Sequence, residues 1–343
     1  MLGLVLIYVG SYTPEAGGSG EGVSVWSVDD PARPRPAAPT AVLPAPSFLV
    51  AHPGAPVLYA VNELDDGAVT ALAVGPDGAL TPAGREPTGG SAPCHLAVTA
   101  DGRHLLCANY GSGSVAVFPL GSGGTLGARS DLVAHQGSGP VPDRQEGPHA
   151  HHVSVRGADV TAVDLGTDTL YGYRLEPGGT LTPTWTTGAG AGSGPRHLAV
   201  AATGRRYVAD ELGSTVSVYE PDPAGGLRLT HRRPATLRPP DGDNFPSEIA
   251  VSADGRFVYV ANRGNDSVST FEIAGDALAP VDEVATGGVG PRHFAFVGDF
   301  MYVANERSHA VTVLDVSSGV PRPAGIRIDV PSPVCVLPVS PSI

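Results

Sequence analysis

Cysteine, methionine and tryptophan are scarce in this chain of 343 residues, which contains three, two and two of them respectively. Cys94, Cys107 and Cys335 are odd in number and show neither paired nor CxxC spacing, so a disulfide framework is not indicated. We interpret them as buried thiols of a protein in a reducing compartment, and we predict a cytoplasmic location.

Positive charge is also in short supply, since 21 lysines and arginines face 34 aspartates and glutamates, for a formal net charge of −13. This balance argues against nucleic acids and anionic membranes as partners, because both require basic surfaces. It is compatible with a small anionic ligand held by a few local cations. The apolar opening MLGLVLIYVG has no basic segment and no cleavage-like site, so we expect neither a signal peptide nor a membrane anchor.

Motifs that would indicate several other enzyme classes are missing. The chain shows no GxSxG elbow of a serine hydrolase, and no GxGxxG that follows a strand and opens a helix. No long helical period and no heptad is found. The 46 glycines and 34 prolines fall at turns between strands, so they indicate folded structure and not disorder.

What the chain has instead is a repeat. Residues 246–273, PSEIAVSADGRFVYVANRGNDSVSTFEI, predict three strands separated by turns, and Asp254-Gly255 favours left-handed backbone in the first turn. A weaker fourth strand is expected near AGDALAP. Similar segments begin at prolines spaced 45 to 55 residues apart, namely Pro46, Pro93, Pro148, Pro195, Pro246 and Pro291. This period is typical of the four-stranded blades of a β-propeller.

The two ends of the chain supply complementary parts of one more unit. The N-terminal YVGSYTPEAGGSGEGVSVWSV lacks a first strand, and the C-terminal PSPVCVLPV has a first strand alone. Paired side by side, they would close the ring and remove exposed sheet edges. The sequence therefore predicts an all-β protein, a seven-bladed β-propeller of four-stranded antiparallel blades, with a single domain over residues 1–343.

Aligned repeats give two columns of residues that should surround one mouth of the central channel. The inner column is the third position of each inner strand: Phe48, His95, His151, His197, Glu248, His293 and Pro333. The Asn/Asp column ends each second strand: Gly10, Asn62, Asn109, Asp164, Asp210, Asn262 and Asn305. We favour a structural role for the Asn/Asp column, because such side chains bond nearby backbone N–H groups. His95 and His293 are expected to bond backbone carbonyls of a neighbouring blade.

Departures from the repeat are the better guide to function. The residue after the Asn/Asp column is charged in four blades, and Arg196 and Arg292 each precede a histidine in GPRH. Those charged residues are Glu63, Glu211, Arg263 and Glu306. An added loop, AHQGSGPVPDRQEGPHAHH, holds His135, Arg144, Gln145, Glu146, His149, His151 and His152. Cations and carboxylates from separate blades should thus converge on one mouth, as a site for a polar small molecule requires.

The histidines of HAHH at 149–152 do not by themselves predict a metal site. Adjacent residues of a strand point to opposite faces, so at most two of these side chains could share an ion. No carboxylate is clearly placed beside them. We therefore expect neither a metal nor an organic cofactor.

Three long segments resemble one known family. They are GSGPVPDRQEGPHAHHV at 137–153, GPRHLAV at 194–200 with DELGSTV at 210–216, and SEIAVSADGRFVYVANRGNDSVSTF at 247–271. With YVGSYT near the start, the chain resembles the seven-bladed propeller lactonases typified by 6-phosphogluconolactonase over essentially its whole length. The resemblance implies hydrolysis of a sugar δ-lactone or, as in fungal members, cyclisation of carboxylated muconate. Asp210 departs from the asparagine that the family often has.

The resemblance also implies a catalytic set of one histidine, two arginines and a glutamate, which fall on His149, Arg196, Glu211 and Arg263. We expect hydrolysis of 6-phosphogluconolactone, with His149, His151 or Glu211 as general base and the two arginines on the oxyanion and the anionic group. Other expected substrate contacts are Arg144, Gln145, His151, His152, His197, Glu248 and Arg292. A cycloisomerase or biosynthetic cyclase using the same residues, and a non-catalytic propeller that binds a protein, stay open as alternatives. We expect a monomer or a weak homodimer.

Overall fold

The computed structural model describes residues 5–339, which contain 28 β-strands arranged as seven four-stranded sheets. Every neighbouring pair of strands within a sheet is antiparallel. Helical structure in this range is limited to three 3-10 turns of three residues each. None of it is long and apolar enough to cross a membrane.

Six of the sheets are built from four consecutive strands each. Blade 1 contains β4 (Leu49–Ala51), β5 (Val57–Asn62), β6 (Ala68–Val74) and β7 (Leu80–Pro87). Blade 2 contains β8 (Pro93–Val98), β9 (His104–Asn109), β10 (Ser114–Pro119) and β11 (Asp131–Ala134). Blade 3 contains β12 (Ala150–Arg156), β13 (Asp159–Asp164), β14 (Thr169–Leu175) and β15 (Leu181–Gly188).

The next three blades follow the same order. Blade 4 contains β16 (Pro195–Val200), β17 (Arg206–Asp210), β18 (Thr215–Pro221) and β19 (Leu227–Pro234). Blade 5 contains β20 (Phe245–Val251), β21 (Phe257–Arg263), β22 (Ser267–Ala274) and β23 (Ala277–Ala285). Blade 6 contains β24 (Pro291–Val297), β25 (Phe300–Asn305), β26 (Ala310–Asp315) and β27 (Arg322–Asp329).

The seventh sheet joins the two ends of the chain, and we call it the closing blade. Its strands are β28 (Pro333–Val339), β1 (Leu6–Ser11), β2 (Gly22–Ser27) and β3 (Arg35–Val42). In the antiparallel pairing of β28 with β1, Tyr8 lies opposite Leu337 and Gly10 lies opposite Cys335. The inner strand β28 also contacts β24 and β4, so the ring is closed. The predicted all-β, seven-bladed propeller is confirmed.

The hydrophobic core is divided among the spaces between adjacent blades. Seven apolar clusters fill these spaces, and each draws its side chains chiefly from two neighbouring sheets. Tyrosines of the second strands add a hydrogen bond from one blade to the next. The hydroxyl of Tyr59 donates to the Gly124 carbonyl at 2.6 Å, and that of Tyr8 donates to the Gly78 carbonyl at 3.1 Å. Cys94, Cys107 and Cys335 are buried free thiols, as predicted.

Several inner strands begin with a one-residue bulge. In blade 2, Pro93 pairs with Asn109 and His95 pairs with Ala108, so Cys94 between them has no partner on β9. The same shift occurs in blades 3, 4 and 6, where His151, Arg196 and Arg292 are the extra residues. A bulge redirects the side chains on either side of it. In blades 2 to 6 the pairings also place the start of the inner strand beside the Asn/Asp column, as expected.

The bulges correct two members of the predicted inner column. In blade 3, Ala150 pairs with Asp164, and it therefore occupies the place that proline holds elsewhere. The added loop thus extends past Pro148, so His152 belongs to the inner column and His151 is the bulged residue. In the closing blade, Ser11 pairs with Pro333 and Gly10 pairs with Cys335, so Cys335 replaces Pro333 in the inner column, and Ser11 replaces Gly10 in the Asn/Asp column.

Candidate active site

A cluster of three arginines around one glutamate lies at the mouth. Glu211 directly follows β17, and its Oε1 accepts a hydrogen bond of 2.6 Å from Nη2 of Arg144. Its Oε2 accepts a 2.5 Å hydrogen bond from Nη2 of Arg263 and lies 3.1 Å from Nε of Arg196. Because three blades contribute these side chains, the predicted convergence of charge from separate blades is present here.

The cluster keeps Glu211 ionised. Burial acts to raise the pKa of this carboxyl, but Arg263, Arg196 and Arg144 outweigh it and hold the pKa well below its usual range. A carboxylate held in this way is a poor proton acceptor near neutral pH. We therefore interpret Glu211 as the anchor of the arginines and not as the general base.

Arg196 is the most enclosed of the three cations. It is 3% exposed, and its Nη1 donates a hydrogen bond of 2.9 Å to the Ser247 carbonyl of the next blade. Burial, followed by repulsion from Arg263 and Arg292, lowers its pKa to about 10, so the guanidinium remains charged at neutral pH. Three guanidinium groups around a single carboxylate leave a local surplus of positive charge, which favours an anionic ligand.

Acidic groups predominate on the other side of the mouth. Nη2 of Arg292 donates to the Tyr12 hydroxyl at 2.6 Å, and that hydroxyl lies 3.0 Å from Oε1 of Glu63. Nη1 of Arg292 is 3.5 Å from Oε2 of Glu306. Burial raises the pKa of Glu63, although Arg292 opposes the rise. Two carboxyl groups and a phenol here flank one cation, so hydrogen-bond acceptors face the arginine-rich side.

His149 directly precedes β12 and stacks on Tyr110, with ring centroids 4.4 Å apart and planes at 16°. Its Nδ1 lies 2.9 Å from the Tyr110 carbonyl, and its Nε2 lies 3.2 Å from Oε1 of Glu146. A carbonyl only accepts hydrogen bonds, so Nδ1 carries a proton. A carboxylate also only accepts, so Nε2 can bond Glu146 only when it is protonated as well, and in the neutral ring its lone pair requires Glu146 to turn away. The Glu146 side chain is 62% exposed. Nε2 is therefore the atom at which His149 takes up or releases a proton, beside an exposed carboxylate, although His149 itself is only 7% exposed.

His151 is buried to the same degree as His149, at 6% against 7% exposure, and it lies beside Cys94 and within reach of the charges of Arg196 and Glu211. Its Nδ1 is 3.8 Å from the Cys94 sulfur. Burial and the charge of Arg196 hold the pKa of His151 well below its usual range, so the ring is neutral but weakly basic. Of the two candidate histidines, His151 is thus the less suitable proton acceptor.

The corrected inner column forms a second polar group, one residue further along the strands from the mouth. Nδ1 of His197 is 3.1 Å and Nε2 of His293 is 3.3 Å from the same carboxylate oxygen of Glu248. His95 and His293 accept hydrogen bonds from the backbone N–H groups of Val153 and Val336 in the following blades. The expected bonds between blades are therefore present, but to N–H groups and not to carbonyls.

Two residues singled out in the sequence have other partners. The Gln145 amide donates to the Leu165 carbonyl and to Asp168, each at 2.8 Å, so this side chain braces its own loop. Asp210 is fully buried and accepts hydrogen bonds from Thr215 and Ser217 of its own blade. The replacement of asparagine by Asp210 thus adds a buried acid below the mouth and not an acid that faces a ligand.

The structural role of the Asn/Asp column is supported in several blades. Oδ1 of Asp164 accepts from the backbone N–H groups of His149 and Thr167, each at 2.9 Å. The Asn62 amide donates to the Pro44 carbonyl at 2.8 Å. These side chains fix the loops on which the charged residues of the mouth are carried.

Sequence reasoning missed Tyr12, Tyr110 and Cys94. Tyr110 follows the Asn/Asp column directly, as Glu211 does, but only charged residues stand out at that position in the sequence. Cys94 occupies the bulge that holds Arg196 in blade 4, and its place becomes apparent only when the bulges are aligned. Tyr12 directly follows Ser11 of β1, so it occupies the same position in its blade as Tyr110 and Glu211, and its N–H donates to the Ser332 carbonyl as theirs donate to the preceding loop. The sequence alignment concealed this because it placed Gly10, one residue too early, in the Asn/Asp column.

Comparison with known proteins gives matches over nearly the whole chain. Residues 6–338 match the family described as "Lactonase, 7-bladed beta-propeller". The 6-phosphogluconolactonase of Bacillus subtilis (strain 168) is 35% identical over 346 residues, which cover 96% of this chain and 97% of that protein. The uncharacterized protein YwcC of Lactococcus lactis is 32% identical over 267 residues, which cover 75% of this chain and 77% of YwcC. The periplasmic gluconolactonase PpgL of Pseudomonas aeruginosa superposes with a TM-score of 0.90 at 32% identity, covering 98% of this chain and 99% of that one.

Proposed function

The chain belongs to the seven-bladed β-propeller lactonase family, and from this premise we propose that it hydrolyses a sugar-derived δ-lactone, 6-phosphogluconolactone in particular. The observation that carries the proposal is the grouping of Arg144, Arg196 and Arg263 around Glu211. Such a cluster offers paired donors to a phosphate and to a carbonyl oxygen that becomes negative.

The two unlike sides of the mouth suggest how the substrate is oriented. Arg144 is 36% exposed at the outer edge of the cluster, so we assign it to the phosphate. Arg196 and Arg263 lie further in and are assigned to the lactone carbonyl. The acceptors Glu63 and Glu306, with the hydroxyl of Tyr12, suit the hydroxyl groups of the sugar ring on the opposite side.

In the proposed reaction a water molecule attacks the lactone carbonyl carbon and loses a proton to Nε2 of His149. The carbonyl electron pair moves to the oxygen, where Arg196 and Arg263 stabilise the negative charge. When that pair returns, the bond from the carbonyl carbon to the ring oxygen breaks. The ring oxygen then takes the proton back from His149, and the product is the open-chain sugar acid. Glu146 would accept the Nε2–H of His149 during the interval in which the ring is protonated.

The proposal is tested by following acid release from freshly prepared lactone in a pH-stat against an enzyme-free blank. Wild-type protein should accelerate 6-phosphogluconolactone opening, and Arg196→Ala should lower kcat/KM by about 10²-fold or more. Arg103→Ala is the matched control, because this exposed arginine pairs with Asp101 at a turn away from the mouth. A wild-type rate equal to the blank would refute the lactonase assignment, whereas full activity in Arg196→Ala would refute the site.

Glucono-δ-lactone provides the second arm of the same experiment. If phosphate recognition is part of the function, the phosphorylated lactone should have the higher kcat/KM. Equal values for the two lactones would overturn the assignment of Arg144 to phosphate while leaving lactone hydrolysis intact.

A further inference from the structure

Three histidines from three successive blades converge in the channel. One ring nitrogen from each of His95, His152 and His197 lies within 4.8 Å of the other two. All three residues are buried, with exposures of 7%, 8% and 3% respectively. They are the corrected inner column of blades 2, 3 and 4, so the propeller repeat itself brings them together.

Two nitrogens of this cluster lack partners. Among residues 5–339, Nδ1 of His152 and Nε2 of His197 are buried and form no hydrogen bond. Buried polar atoms are nearly always paired with protein groups, water or a ligand. Two unpaired ring nitrogens in one small group therefore indicate that something binds between the rings.

The surroundings of His197 favour a metal ion as the ligand. Its Nδ1 lies 3.1 Å from Oε2 of Glu248, and a carboxylate partner requires the proton to be on Nδ1. The lone pair of His197 is thereby fixed on Nε2, which is the unpaired atom. Metal-binding histidines commonly have such a carboxylate on their second nitrogen, because it orients the ring and increases its basicity.

Charge state and access are also suitable. Burial lowers the pKa of His152 to about 4, and it lowers the pKa values of His95 and His197 well below the usual range. The rings are therefore neutral near pH 7, which is the form that binds metals. The Glu248 side chain is 13% exposed, so solvent reaches the edge of the group at this residue. The charge of Arg196 also acts on His95 and His197, so Glu248 is the carboxylate that would offset a bound cation.

We propose that His95, His152 and His197 bind a divalent transition-metal ion of the Zn²⁺ type, with Glu248 orienting His197 and a fourth position left to water. Three imidazoles plus an open position is a common arrangement for zinc. The expectation of no metal considered only the run at 149–152, where neighbouring rings diverge, and it overlooked the sharing of one ion by three blades. Nδ1 of His95 accepts a long 3.4 Å hydrogen bond from the Val153 N–H, so the proton of the neutral ring is on Nε2. Metal binding at Nε2 would therefore move this proton to Nδ1 or release it.

The proposal is tested on protein purified without a histidine tag and stripped with a chelator. Co²⁺ is the probe, because nitrogen ligands around tetrahedral Co²⁺ produce strong visible absorption. We expect one Co²⁺ per chain by elemental analysis, saturable absorption, and loss of that absorption when Zn²⁺ is added. A stripped protein that takes up neither Co²⁺ nor Zn²⁺ would overturn the proposal.

Variants locate the ion. His152→Gln and His197→Gln should each weaken Co²⁺ binding by about 10²-fold or more, and Glu248→Gln should weaken it by about 10- to 100-fold with all three ligands retained. His104→Gln, at a partly exposed histidine on β9, should bind as the wild type does. Unchanged binding in His152→Gln would place the ion elsewhere and refute the site. If His152→Gln does not fold, the site is tested by the Co²⁺ affinity of Glu248→Gln and by the absorption spectrum of Co²⁺ in the wild-type protein. Neither measurement depends on lactonase activity.

Discussion

Arg196 and Glu211 form a buried ion pair at the mouth, with Nε of the arginine 3.1 Å from Oε2 of the glutamate and side-chain exposures of 3% and 4%. They lie on adjacent strand ends of blade 4, one in the bulge of β16 and the other just beyond β17. In this pair the ionised carboxylate of Glu211 stabilises the charge of Arg196, which is buried away from water. The position of Arg144 and Arg263 depends on the same carboxylate.

Glu211→Gln should therefore destabilise the fold while keeping the shape of the side chain. It leaves three guanidinium groups without their shared carboxylate, and removal of one partner from a buried ion pair costs about 3 kcal/mol. We expect a loss of this order in the free energy of unfolding measured with urea. Glu220→Gln is the control, because Glu220 pairs with Arg205 nearer the surface and its loss should cost less than about 1 kcal/mol. Equal stability of both variants would contradict the anchoring role of Glu211.

Arg144→Ala should alter substrate preference more than turnover. Because Arg144 lies at the solvent edge of the cluster, its removal should raise KM for 6-phosphogluconolactone by about 10-fold or more, at the level of a charged hydrogen bond. KM for glucono-δ-lactone should change little. Initial rates over a range of both lactones measure this difference, and a parallel change in the two KM values would indicate that Arg144 does not contact the phosphate.

Histidine variants should separate the two candidate bases. His149→Gln is expected to lower kcat by about 10²- to 10⁴-fold, as is usual for loss of a general base. His151→Gln should have a much smaller effect, because the pKa of His151 is held low by burial and by Arg196. Steady-state rates with matched thermal unfolding curves provide the measurement. The assignment is reversed if His151→Gln is the more severely impaired of the two folded variants.

The overall fold was predictable because each repeat carries local sequence signals for its turns and strands. Asp254 and Gly255 mark a turn whose glycine adopts a φ of +72°, and the apolar strands around it recur at one-blade intervals. The incomplete units at the two ends also predicted the closing blade. Fold and family were therefore within reach of sequence reasoning.

The details of the site were not predictable to the same degree. A count from Pro148 selected His151 for the inner column, because the added loop moves the start of β12 two residues past that proline. The residue that follows was the better guide: His95, His197 and His293 each precede a large apolar residue, and in blade 3 only His152 does so, before Val153. The bonding of Gln145 within its loop was hidden, because a loop has no periodicity from which to infer direction.

Asp210→Asn should stabilise the protein at neutral pH. Burial raises the pKa of Asp210 from 3.8 to about 6, so between these values the folded state binds more protons than the unfolded state. Stability contributed by this group is thus lost as pH rises from about 4 to about 6. The net shift, which already includes the attraction of Arg232, corresponds to about 3 kcal/mol.

The variant should therefore gain stability relative to the wild type at pH 7.5 and gain little at pH 4, as measured by urea unfolding at both values. Asp254→Asn is the opposite control, because hydrogen bonds from Ser252 and from the Arg256 N–H lower the pKa of Asp254. That variant should lose stability relative to the wild type as pH rises. A pH-independent difference for Asp210→Asn would show that the carboxyl is not the titrating group.

Two buried tyrosines allow the hydrogen bond between blades to be measured. Tyr59 donates to the Gly124 carbonyl of blade 2, whereas the Tyr302 hydroxyl is buried without a partner among residues 5–339. Both rings are fully buried, so replacement by phenylalanine removes only the hydroxyl. Tyr59→Phe should lower the free energy of unfolding by about 1 to 2 kcal/mol, because a carbonyl also loses its donor. Tyr302→Phe should be neutral or stabilising, and equal losses in the two variants would mean that the bond to Gly124 contributes nothing specific.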